Sequence, residues 1–307
     1  MIFKKNVPLA LFNTFKIGGR AEYFFKTSRP ENLIKAIEWA RNKKIPYRVF
    51  AGGSNVVFPD KKIKGLLIQF SGGVIKIQKQ KMEADAGVSL PALIRKSIKA
   101  GLSGLETLSG IPGTLGGAIC GNAGAYGHSI SEVVFAVEIW DGKKKRWLKN
   151  KDCSFDYRES VFSAQGKKRK PYIILRAVLK FKKGGKEKLQ KISREIIKIR
   201  AKKYKPGLRC PGSFFKNVPV KKISRKSLKL INKAKIIEGK IPTGYLLEEV
   251  GAKGMRMGGI EIADFHGNLF MNRGNGTAKE AKRLADILKR RVRKKFGILL
   301  EEEVRYF

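Results

Sequence analysis

The stretch of sequence that decides the fold is Ile111-Pro112-Gly113-Thr114-Leu115-Gly116-Gly117-Ala118-Ile119, continued by Cys120-Gly121-Asn122-Ala123-Gly124-Ala125-Tyr126-Gly127. It contains six glycines and no charged residue, whereas a surface linker would mix in serine, lysine and glutamate. Because glycine has no Cβ, such a segment can lie against a flat ring or a sugar-phosphate chain. Tight packing of backbone against backbone is the alternative explanation.

A second glycine motif, Gly52-Gly53-Ser54-Asn55, directly follows the β-like run at residues 47–50. Small residues in a turn let backbone N–H groups approach an anion, and a diphosphate is the obvious candidate. No lysine follows as in a P-loop, and no GxGxxG pattern opens a helix as in a Rossmann fold. A plain β-turn explains the same four residues, so the motif alone leaves both interpretations open.

Composition excludes several classes of protein. The length of 307 residues suits about two or three domains. A hydrophobic content of 42% is enough to fill their cores and rules out general disorder. No apolar run approaches the roughly 18–20 residues that span a bilayer, and no secretory signal is visible. The three cysteines show no ligand spacing, and there are only two histidines. We therefore expect reduced thiols, no metal site and a cytoplasmic location.

The net charge of +42 is the unusual feature of the composition. A nucleic-acid or anionic-membrane partner has to be considered for so basic a chain. The basic runs are scattered over the whole length, at residues 41–44, 61–64, 143–146, 167–170, 221–222 and 289–295. Scattering is typical of a basic solvated surface, so we expect no specific nucleic acid partner and no membrane insertion. A basic nucleic-acid-binding protein remains an alternative.

Hydrophobic periodicity and turn residues predict the secondary structure. Helices are expected at residues 32–44, 89–100, 186–203 and 278–296, the last with a capping box of Thr277 and Glu280. Strands are expected at residues 47–50, 65–70, 74–78, 133–140, 173–181 and 298–307, with a hairpin turn at Asp141-Gly142.

Four further blocks complete a family pattern. They are Asn13-Thr14-Phe15-Lys16-Ile17-Gly18-Gly19-Arg20-Ala21, Tyr157-Arg158-Glu159-Ser160-Val161-Phe162, Gly212-Ser213-Phe214-Phe215-Lys216-Asn217 and Leu300-Glu301-Glu302-Glu303-Val304-Arg305. With the two glycine motifs, the sequence resembles the UDP-N-acetylenolpyruvoylglucosamine reductases, also called UDP-N-acetylmuramate dehydrogenases. The compact stretch between Arg158 and Ser213 resembles the shorter branch, which lacks a tyrosine-bearing substrate loop.

The resemblance implies an α+β protein. A two-subdomain FAD-binding α/β fold of the vanillyl-alcohol-oxidase type would occupy residues 1–80 and 81–200. An α/β substrate-binding domain would follow at residues 201–307, with its C-terminal strand returning to the active site. The implied enzyme is a monomer with non-covalent FAD and NADPH as co-substrate. It would reduce UDP-N-acetylglucosamine-enolpyruvate to UDP-N-acetylmuramate for peptidoglycan synthesis; another FAD-dependent oxidoreductase of the same fold remains an alternative.

The resemblance also assigns residues to the cofactor and the reaction. The cofactor contacts would be Gly52, Gly53, Ser54, Asn55, Gly113, Thr114, Gly116, Gly117, Asn122, Ala123 and Gly124. Hydride arriving at the enolpyruvyl C3 pushes charge onto the carboxylate, so the reaction needs cationic or acidic donors and a proton donor at C2. Arg158 would bind the substrate carboxylate, and Ser213 would donate the proton to C2. Glu303 would form a hydrogen bond near the reacting carboxylate. Alone, these residues also suit a surface salt bridge, a turn serine and an acidic edge strand.

The substrate contacts implied by the resemblance are Lys216, Asn217 and Arg305, and Lys216 is also expected to tune the acidity of Ser213. On a strand, Glu301 and Glu303 would share a face with Arg305, while Glu302 would point away. Val218 is inserted before Pro219, so the family's Phe-Lys-Asn-Pro pattern is one residue longer here. His266 is expected to be a structural rather than a catalytic histidine.

Overall fold

The computed structural model describes residues 1–163, 172–205 and 207–307, which form two compact units. The first unit comprises Met1–Val7, Ala21–Gly52 and Lys64–Lys202, and the second comprises Pro8–Arg20, Gly53–Ile63 and Lys203–Phe307. Two short stretches that the sequence analysis placed within residues 1–80 thus group with the C-terminal part. The division near residue 80 stays a prediction. The basic run at residues 167–170 lies outside the described residues.

The helices of the described chain are α1 (Pro30–Asn42), α2 (Leu90–Lys99), α3 (Leu115–Cys120), α4 (Lys186–Lys203), α5 (Arg225–Lys229), α6 (Thr243–Glu248) and α7 (Ala278–Phe296). The predicted bounds of α4 and α7 are confirmed. The capping box of α7 is also present, because Thr277 Oγ1 accepts from the Glu280 N–H and Glu280 Oε2 accepts from the Thr277 N–H. None of the described helices is long and apolar enough to cross a membrane.

The first unit contains two larger sheets. The four-stranded sheet has the order Lys4–Pro8, Arg20–Thr27, Ile63–Phe70 and Tyr47–Phe50, with the last two strands parallel. The five-stranded antiparallel sheet has the order Lys145–Lys149, Val134–Trp140, Ile173–Lys180, Lys81–Asp85 and Ile75–Gln78. Short ribbons pair Gly124–Ala125 with His128–Ser129 and Leu102–Ser103 with Lys182–Lys183. The hairpin predicted at Asp141-Gly142 joins the first two strands of the five-stranded sheet and is confirmed.

One hydrophobic core serves both sheets of the first unit. Residues of α1 such as Leu33 and Ile37 belong to the same buried cluster as Ile68 of the first sheet and Val137 of the second. The apolar faces of α1 and α2 supply most of the helical part of this cluster, as their periodicity predicts. The sheets therefore fold around shared side chains rather than as independent layers.

The second unit is built around α7, whose buried face carries Ala281, Leu284, Leu288 and Val292. Its strands form three small groups: Val218–Pro219 with Lys240–Ile241; Arg256–Met257 with Ile260–Ile262 and Phe270–Asn272; and Val56–Val57 parallel to Arg305–Tyr306. Mixed helices and sheets in both units confirm the predicted α+β class.

The closing strand predicted at residues 298–307 is wrong in its extent. Only Arg305–Tyr306 forms a strand, and Glu302 makes an isolated bridge to Phe215. Leu299 is 70% exposed while Leu300 is buried, so the segment contacts residues 214–216 at single points instead of along a ladder. Buried and exposed side chains do alternate from Ile298 to Glu301, as the sequence predicts. Too few backbone groups of this segment form hydrogen bonds with another strand to make a longer strand.

Candidate active site

The two glycine motifs meet within the first unit, at Gly52 and Gly113. A Cβ built on Gly52 would lie 3.2 Å from Gly113 Cα and 3.6 Å from Thr114 Cγ2. Within the described parts of the chain, no acceptor takes a hydrogen bond from the backbone N–H of Gly52, Gly113 or Thr114. Backbone N–H donors beside small residues are what a diphosphate binds. These residues therefore fit the diphosphate of a dinucleotide such as FAD.

Gly116 and Gly117, adjacent in α3, serve different purposes. A Cβ on Gly116 would lie 2.8 Å from Ala86 Cβ, and the Gly116 N–H donates to the Ala86 carbonyl at 2.7 Å. Gly117 is exposed, and among the described residues outside its own helix backbone, a Cβ there would meet only Thr114 Oγ1, at 3.5 Å. Backbone packing therefore explains Gly116, whereas Gly117 keeps a side-chain-free surface open. Thr114 caps the helix, because its Oγ1 accepts from the Gly117 N–H.

The end of the glycine-rich segment is fixed by internal hydrogen bonds. Asn122 has a φ of +39°, its Nδ2 donates to the Asp156 carbonyl at 2.9 Å, and its Oδ1 accepts from the Ser131 N–H. The Ala123 N–H donates to the Ala118 carbonyl at 2.8 Å. A Cβ on Gly124 would lie 2.5 Å from the His128 carbonyl oxygen. Packing accounts for these positions, and the cofactor contacts expected of them stay predictions.

Arg158 is held against this same segment. Residues 156–159 form a tight turn in which Arg158 has a φ of +56°, an unusual conformation for a residue other than glycine. The Arg158 Nη2 donates to the Gly124 carbonyl at 2.8 Å, and its guanidinium lies 5.5 Å from the centre of the Tyr157 ring. Ser160 Oγ donates to the Cys120 carbonyl at 2.8 Å. The turn thus places a half-buried cation beside the predicted cofactor segment.

Thr14 joins its own family block to the second glycine motif and to Cys210, two residues before the Gly212–Asn217 block, in the second unit. Its backbone N–H donates to the Gly53 carbonyl at 3.0 Å, and its Oγ1 donates to the carbonyls of Ser54 and Cys210, at 3.4 and 2.7 Å. Gly53 has a φ of +68°, and a Cβ there would lie 2.1 Å from the Phe12 carbonyl oxygen. Gly53 and Ser54, both expected at the cofactor, are therefore positioned by this N-terminal block.

Asn55 connects the second glycine motif to the closing segment. Its Nδ2 donates to the Glu303 carbonyl at 3.0 Å, and its own carbonyl accepts from the Arg305 N–H at 3.1 Å. These two bonds set the backbone of Glu303 and Arg305, the predicted catalytic and substrate-binding residues of this segment. Asn55 thus holds the closing segment in place by these two hydrogen bonds.

Ser213 and Glu303 are brought together in the second unit. The Glu303 N–H donates to the carbonyl of Phe214, the residue after Ser213, at 2.8 Å. On its other side, Ser213 bridges to Leu269, and the Phe214 N–H donates to the Asn268 carbonyl at 3.1 Å. The Ser213 Oγ lies 3.0 Å from the hydroxyl oxygen of Tyr204. The proposed proton donor therefore has a hydroxyl partner that the sequence analysis missed.

Lys216 pairs with Glu301 of the closing segment, and the tuning of Ser213 expected of it stays a prediction. It is buried, and its Nζ lies 3.3 Å from Glu301 Oε2; Lys222 pairs with the other carboxylate oxygen of Glu301. Partial burial alone would raise the pKa of Glu301, but the two ammonium groups hold it below its usual range. Glu302 instead pairs with Lys289, so Glu301 and Glu302 face different elements.

Asn217 and His266 have structural contacts. Asn217 Oδ1 accepts from the Thr243 N–H at 3.1 Å, at the start of α6. His266 Nδ1 lies 3.7 Å from Glu248 Oε1. Burial and the nearby Lys203 ammonium lower the pKa of His266 to about 4, which keeps its ring neutral near pH 7. No group of described His, Cys, Asp or Glu side chains could hold a metal ion.

The predicted site residues fall into both units. Arg158, Gly52 and residues 113–124 belong to the first unit, and residues 53–55, Lys216, Asn217 and Arg305 belong to the second with Ser213 and Glu303. Sequence reasoning missed Tyr204 and the role of Thr14. Thr14 stands in a quoted family block, so its motif offered a signal, whereas no pattern around Tyr204 pointed to Ser213.

Two family models and many relatives match the chain. The model described as UDP-N-acetylenolpyruvoylglucosamine reductase, C-terminal domain, matches residues 204–307, and the model described as FAD binding domain matches residues 21–145. The UDP-N-acetylenolpyruvoylglucosamine reductase of Solibacter usitatus is 42% identical over 301 residues, covering 98% of this chain and 95% of its own length. The chain belongs to the UDP-N-acetylenolpyruvoylglucosamine reductase family.

Further comparisons agree with this assignment. The reductase of Aquifex aeolicus is 34% identical over 312 residues, covering 99% of this chain and 95% of its own length. The crystal structure of the reductase from Thermus caldophilus superposes with a TM-score of 0.76 at 30% identity and covers 100% of both chains. The resemblance drawn from the motifs is confirmed, and so is the order of an FAD-binding part before the C-terminal part. The protein is an FAD-binding oxidoreductase of the peptidoglycan precursor pathway.

Proposed function

We propose that the protein catalyses the NADPH-dependent reduction of UDP-N-acetylglucosamine-enolpyruvate to UDP-N-acetylmuramate in the cytoplasm. The observation that carries this proposal is the 42% identity to a reductase of that name over 98% of the chain. The contacts around Ser213 and Glu303 support it, because a hydroxyl group and a carboxyl group lie on neighbouring segments of the second unit.

Non-covalent FAD would be held by backbone groups. The N–H groups of Gly52, Gly113 and Thr114 would donate to its diphosphate, and the open surface at Gly117 would face it without a side chain. When bound, FAD supplies a carrier for hydride between NADPH and the enolpyruvyl C=C bond. The remaining chemistry belongs to side chains of this chain.

Arg158 would bind the enolpyruvyl carboxylate. A guanidinium is always charged and can donate two parallel hydrogen bonds to a carboxylate, and this charge stabilises the enolate that develops as hydride reaches C3. The tight turn at residues 156–159 and the bond to the Gly124 carbonyl limit the orientations of the Arg158 side chain. Such preorganisation is what makes a charged donor effective in a transition state.

Ser213 would give its hydroxyl proton to C2, and Glu303 would hydrogen-bond beside the reacting carboxylate. The bond from the Glu303 N–H to the Phe214 carbonyl fixes the closing segment next to the residue that follows Ser213. Lys216, Asn217 and Arg305 would contact the anionic groups and the sugar of the substrate. When an anionic group of the substrate binds Lys216, the partly buried ion pair between Lys216 and Glu301 would have to break, or the lysine charge would be shared between the two anions.

Stopped-flow absorbance of the purified flavoprotein tests this function. Flavin absorbance should bleach when NADPH is mixed anaerobically and should return when UDP-N-acetylglucosamine-enolpyruvate is added. UDP-N-acetylglucosamine is the matched control, because it lacks the enolpyruvyl group and should not restore the absorbance. NADH in place of NADPH measures the preference for the nicotinamide cofactor.

Two results would contradict the proposal. One is a folded protein that is colourless and cannot be reconstituted with FAD. The other is flavin that is reduced by NADPH but is not reoxidised faster by the enolpyruvyl substrate than by UDP-N-acetylglucosamine. The second result would leave an oxidoreductase with a different acceptor.

A further inference from the structure

Tyr204 presents its hydroxyl group to Ser213. The two side-chain oxygens lie 3.0 Å apart, within hydrogen-bond distance, and either atom can be the donor. Each hydroxyl has one proton to donate and can also accept. If Tyr204 donates to Ser213, the proton of Ser213 is left to point elsewhere, whereas the reverse arrangement would use up the proton that Ser213 is proposed to give to the substrate.

Both oxygens are fixed by the same small cluster. The Tyr204 ring packs with Leu208 against the buried side chains of Cys210, Ala263, Leu269 and Met271. The Lys203 Nζ lies 5.2 Å from the centre of the Tyr204 ring. Ser213 itself bridges to Leu269, a member of that cluster. The distance between the two hydroxyl groups is therefore set by packed side chains and not by one flexible loop.

Ser213 needs such a partner if it acts as an acid. An aliphatic hydroxyl is a weak acid, and its oxygen carries negative charge as the proton leaves. Lys216, the cation expected to tune it, shares its charge with Glu301. A phenol donates a stronger hydrogen bond than an aliphatic alcohol, since its ordinary pKa is about 10. A hydrogen bond to a charged oxygen is worth more than one between neutral groups.

We propose that Tyr204 is a positioning residue that acts through Ser213. Its hydroxyl donates to Ser213 Oγ, directs the Ser213 proton toward the substrate and stabilises the oxyanion left when that proton moves. In this step the Ser213 O–H bond breaks, a C–H bond forms at C2 of the substrate, and water later returns a proton to Oγ. This inference rests on the proposed function, in which Ser213 is the proton donor.

The test is a double-mutant cycle with Tyr204→Phe and Ser213→Ala. Tyr204→Phe keeps the ring in its cluster and removes only the hydroxyl group. We expect flavin content, thermal unfolding and flavin reduction by NADPH to stay at wild-type values. Reoxidation by the enolpyruvyl substrate should slow by about 10- to 100-fold, as expected for one hydrogen bond to a charged group. In the Ser213→Ala background, Tyr204→Phe should cause no further loss, because the oxygen it acts on is gone.

Tyr245→Phe is the matched control. Its hydroxyl oxygen accepts from the Asn232 N–H in the same unit, so this variant removes a tyrosine hydroxyl with a different partner and should reoxidise at the wild-type rate. The solvent deuterium isotope effect on reoxidation should rise in Tyr204→Phe, since proton donation becomes more rate-limiting, and should stay unchanged in Tyr245→Phe.

Three outcomes would overturn the inference. They are an unchanged rate of reoxidation in Tyr204→Phe, an equal slowing of both half-reactions, and the same loss with and without Ser213. The single variant Ser213→Ala separates this failure from failure of the proposed function. If Ser213→Ala alone reoxidises at the wild-type rate, the serine is not the proton donor and Tyr204 has nothing to position.

Discussion

The side-chain hydroxyl of Thr14 donates a hydrogen bond of 2.7 Å to the carbonyl oxygen of Cys210, a residue 196 positions further along the chain. The backbone N–H of Thr14 donates to Gly53 at the same time. One residue near the N-terminus therefore links a glycine motif to the segment that leads into Ser213. Since Tyr204 and Cys210 pack in the same small cluster, a shift of the Cys210 backbone would also disturb that neighbourhood.

Thr14→Val tests this link. Valine has nearly the same shape as threonine but no hydroxyl, so the carbonyls of Cys210 and Ser54 lose their donor. We expect the free energy of unfolding in urea to fall by about 1–3 kcal/mol, because a partly buried acceptor is left without a partner. Thr14→Ser keeps the hydroxyl and is the control. A Thr14→Ser variant that is less stable than Thr14→Val would show that the methyl group, and not the hydrogen bond, matters.

Gly117→Val and Gly116→Ala should fail in different ways. The nearest atom that the structure describes around a Cβ at Gly117, outside the helix backbone, is Thr114 Oγ1 at 3.5 Å, so Gly117→Val should fold but lose most of its bound flavin. A methyl group at Gly116 would lie 2.8 Å from Ala86 Cβ, so Gly116→Ala should lower the melting temperature. Flavin absorbance per protein and calorimetry separate the two effects. Normal flavin content in a folded Gly117→Val protein would assign this part of the segment to packing alone.

Arg158→Lys should slow reoxidation by the substrate and spare flavin reduction by NADPH. Lysine keeps the positive charge and tolerates the φ of +56° no worse than arginine, but it cannot form the guanidinium fork. Loss of one such transition-state donor typically costs about 10²–10³-fold. Arg146→Lys is the control, since Arg146 pairs with Asp141 in an exposed hairpin. A comparable loss in both half-reactions would point to a structural role.

Glu303→Gln should show the same asymmetry, because its proposed task begins when charge develops on the substrate. The expected loss in reoxidation is about 10²-fold or more, measured by stopped-flow absorbance.

Glu301→Gln decides between the two candidate glutamates: it should weaken the pairs with Lys216 and Lys222 but leave reoxidation faster than in Glu303→Gln. Glu302→Gln serves as the control, since Glu302 pairs with Lys289 of α7. A larger loss in Glu301→Gln would reverse the assignment.

His266 should make stability depend on pH between about 6.5 and 4. Burial and the ammonium groups of Lys203 and Lys253 lower the pKa of His266 in the folded protein to about 4. The carboxylate of Glu248 acts in the opposite direction and raises this pKa, but its effect is smaller. The unfolded chain therefore binds this proton first as the pH falls, and the stability present above pH 6.5 is lost toward pH 4. The loss should be at most roughly 3 kcal/mol.

Urea unfolding at a series of pH values measures this dependence. His266→Asn should flatten the curve between pH 7 and pH 5, because it removes the group whose folded pKa is lowered to about 4. An unchanged slope in His266→Asn would mean that other groups account for the effect.

Local sequence signals predicted the helices better than the strands. Thr277 and Glu280 begin α7 as the capping box requires, and Gly297 ends it with a φ of +67°. The strand Lys81–Asp85 was missed although it lies inside the five-stranded sheet. Its buried Met82 and Ala84 alternate with charged residues, a period of two that is too short to stand out beside the preceding charged turn. Tertiary pairing, which sequence patterns do not report, stabilises such a strand.

The motifs indicate the segments expected to carry the site, but they do not predict the contacts that the side chains of those segments make. The glycines at positions 116 and 117 look equivalent in sequence, yet one packs on Ala86 and the other stays open. Lys216 precedes Asn217 as in the family pattern, yet its charge is engaged by Glu301 from a segment 85 residues away. Such contacts arise only when distant segments meet, so no spacing rule contains them.

The grouping of residues 8–20 and 53–63 with the C-terminal unit has a consequence for synthesis on the ribosome. Asn272 Nδ2 donates to the Phe15 carbonyl at 3.1 Å, and Asp60 Oδ1 accepts from the Ala278 N–H at the start of α7 at 2.7 Å. Residues 8–20 and 53–63 leave the exit tunnel long before Asn272 and Ala278 are synthesised. During that time these two stretches cannot form their native hydrogen bonds with the C-terminal part. Contacts of such high sequence separation slow folding. Residues 204–307 expressed as a fragment would lack these partners and should depend on the missing stretches, supplied in trans, to fold.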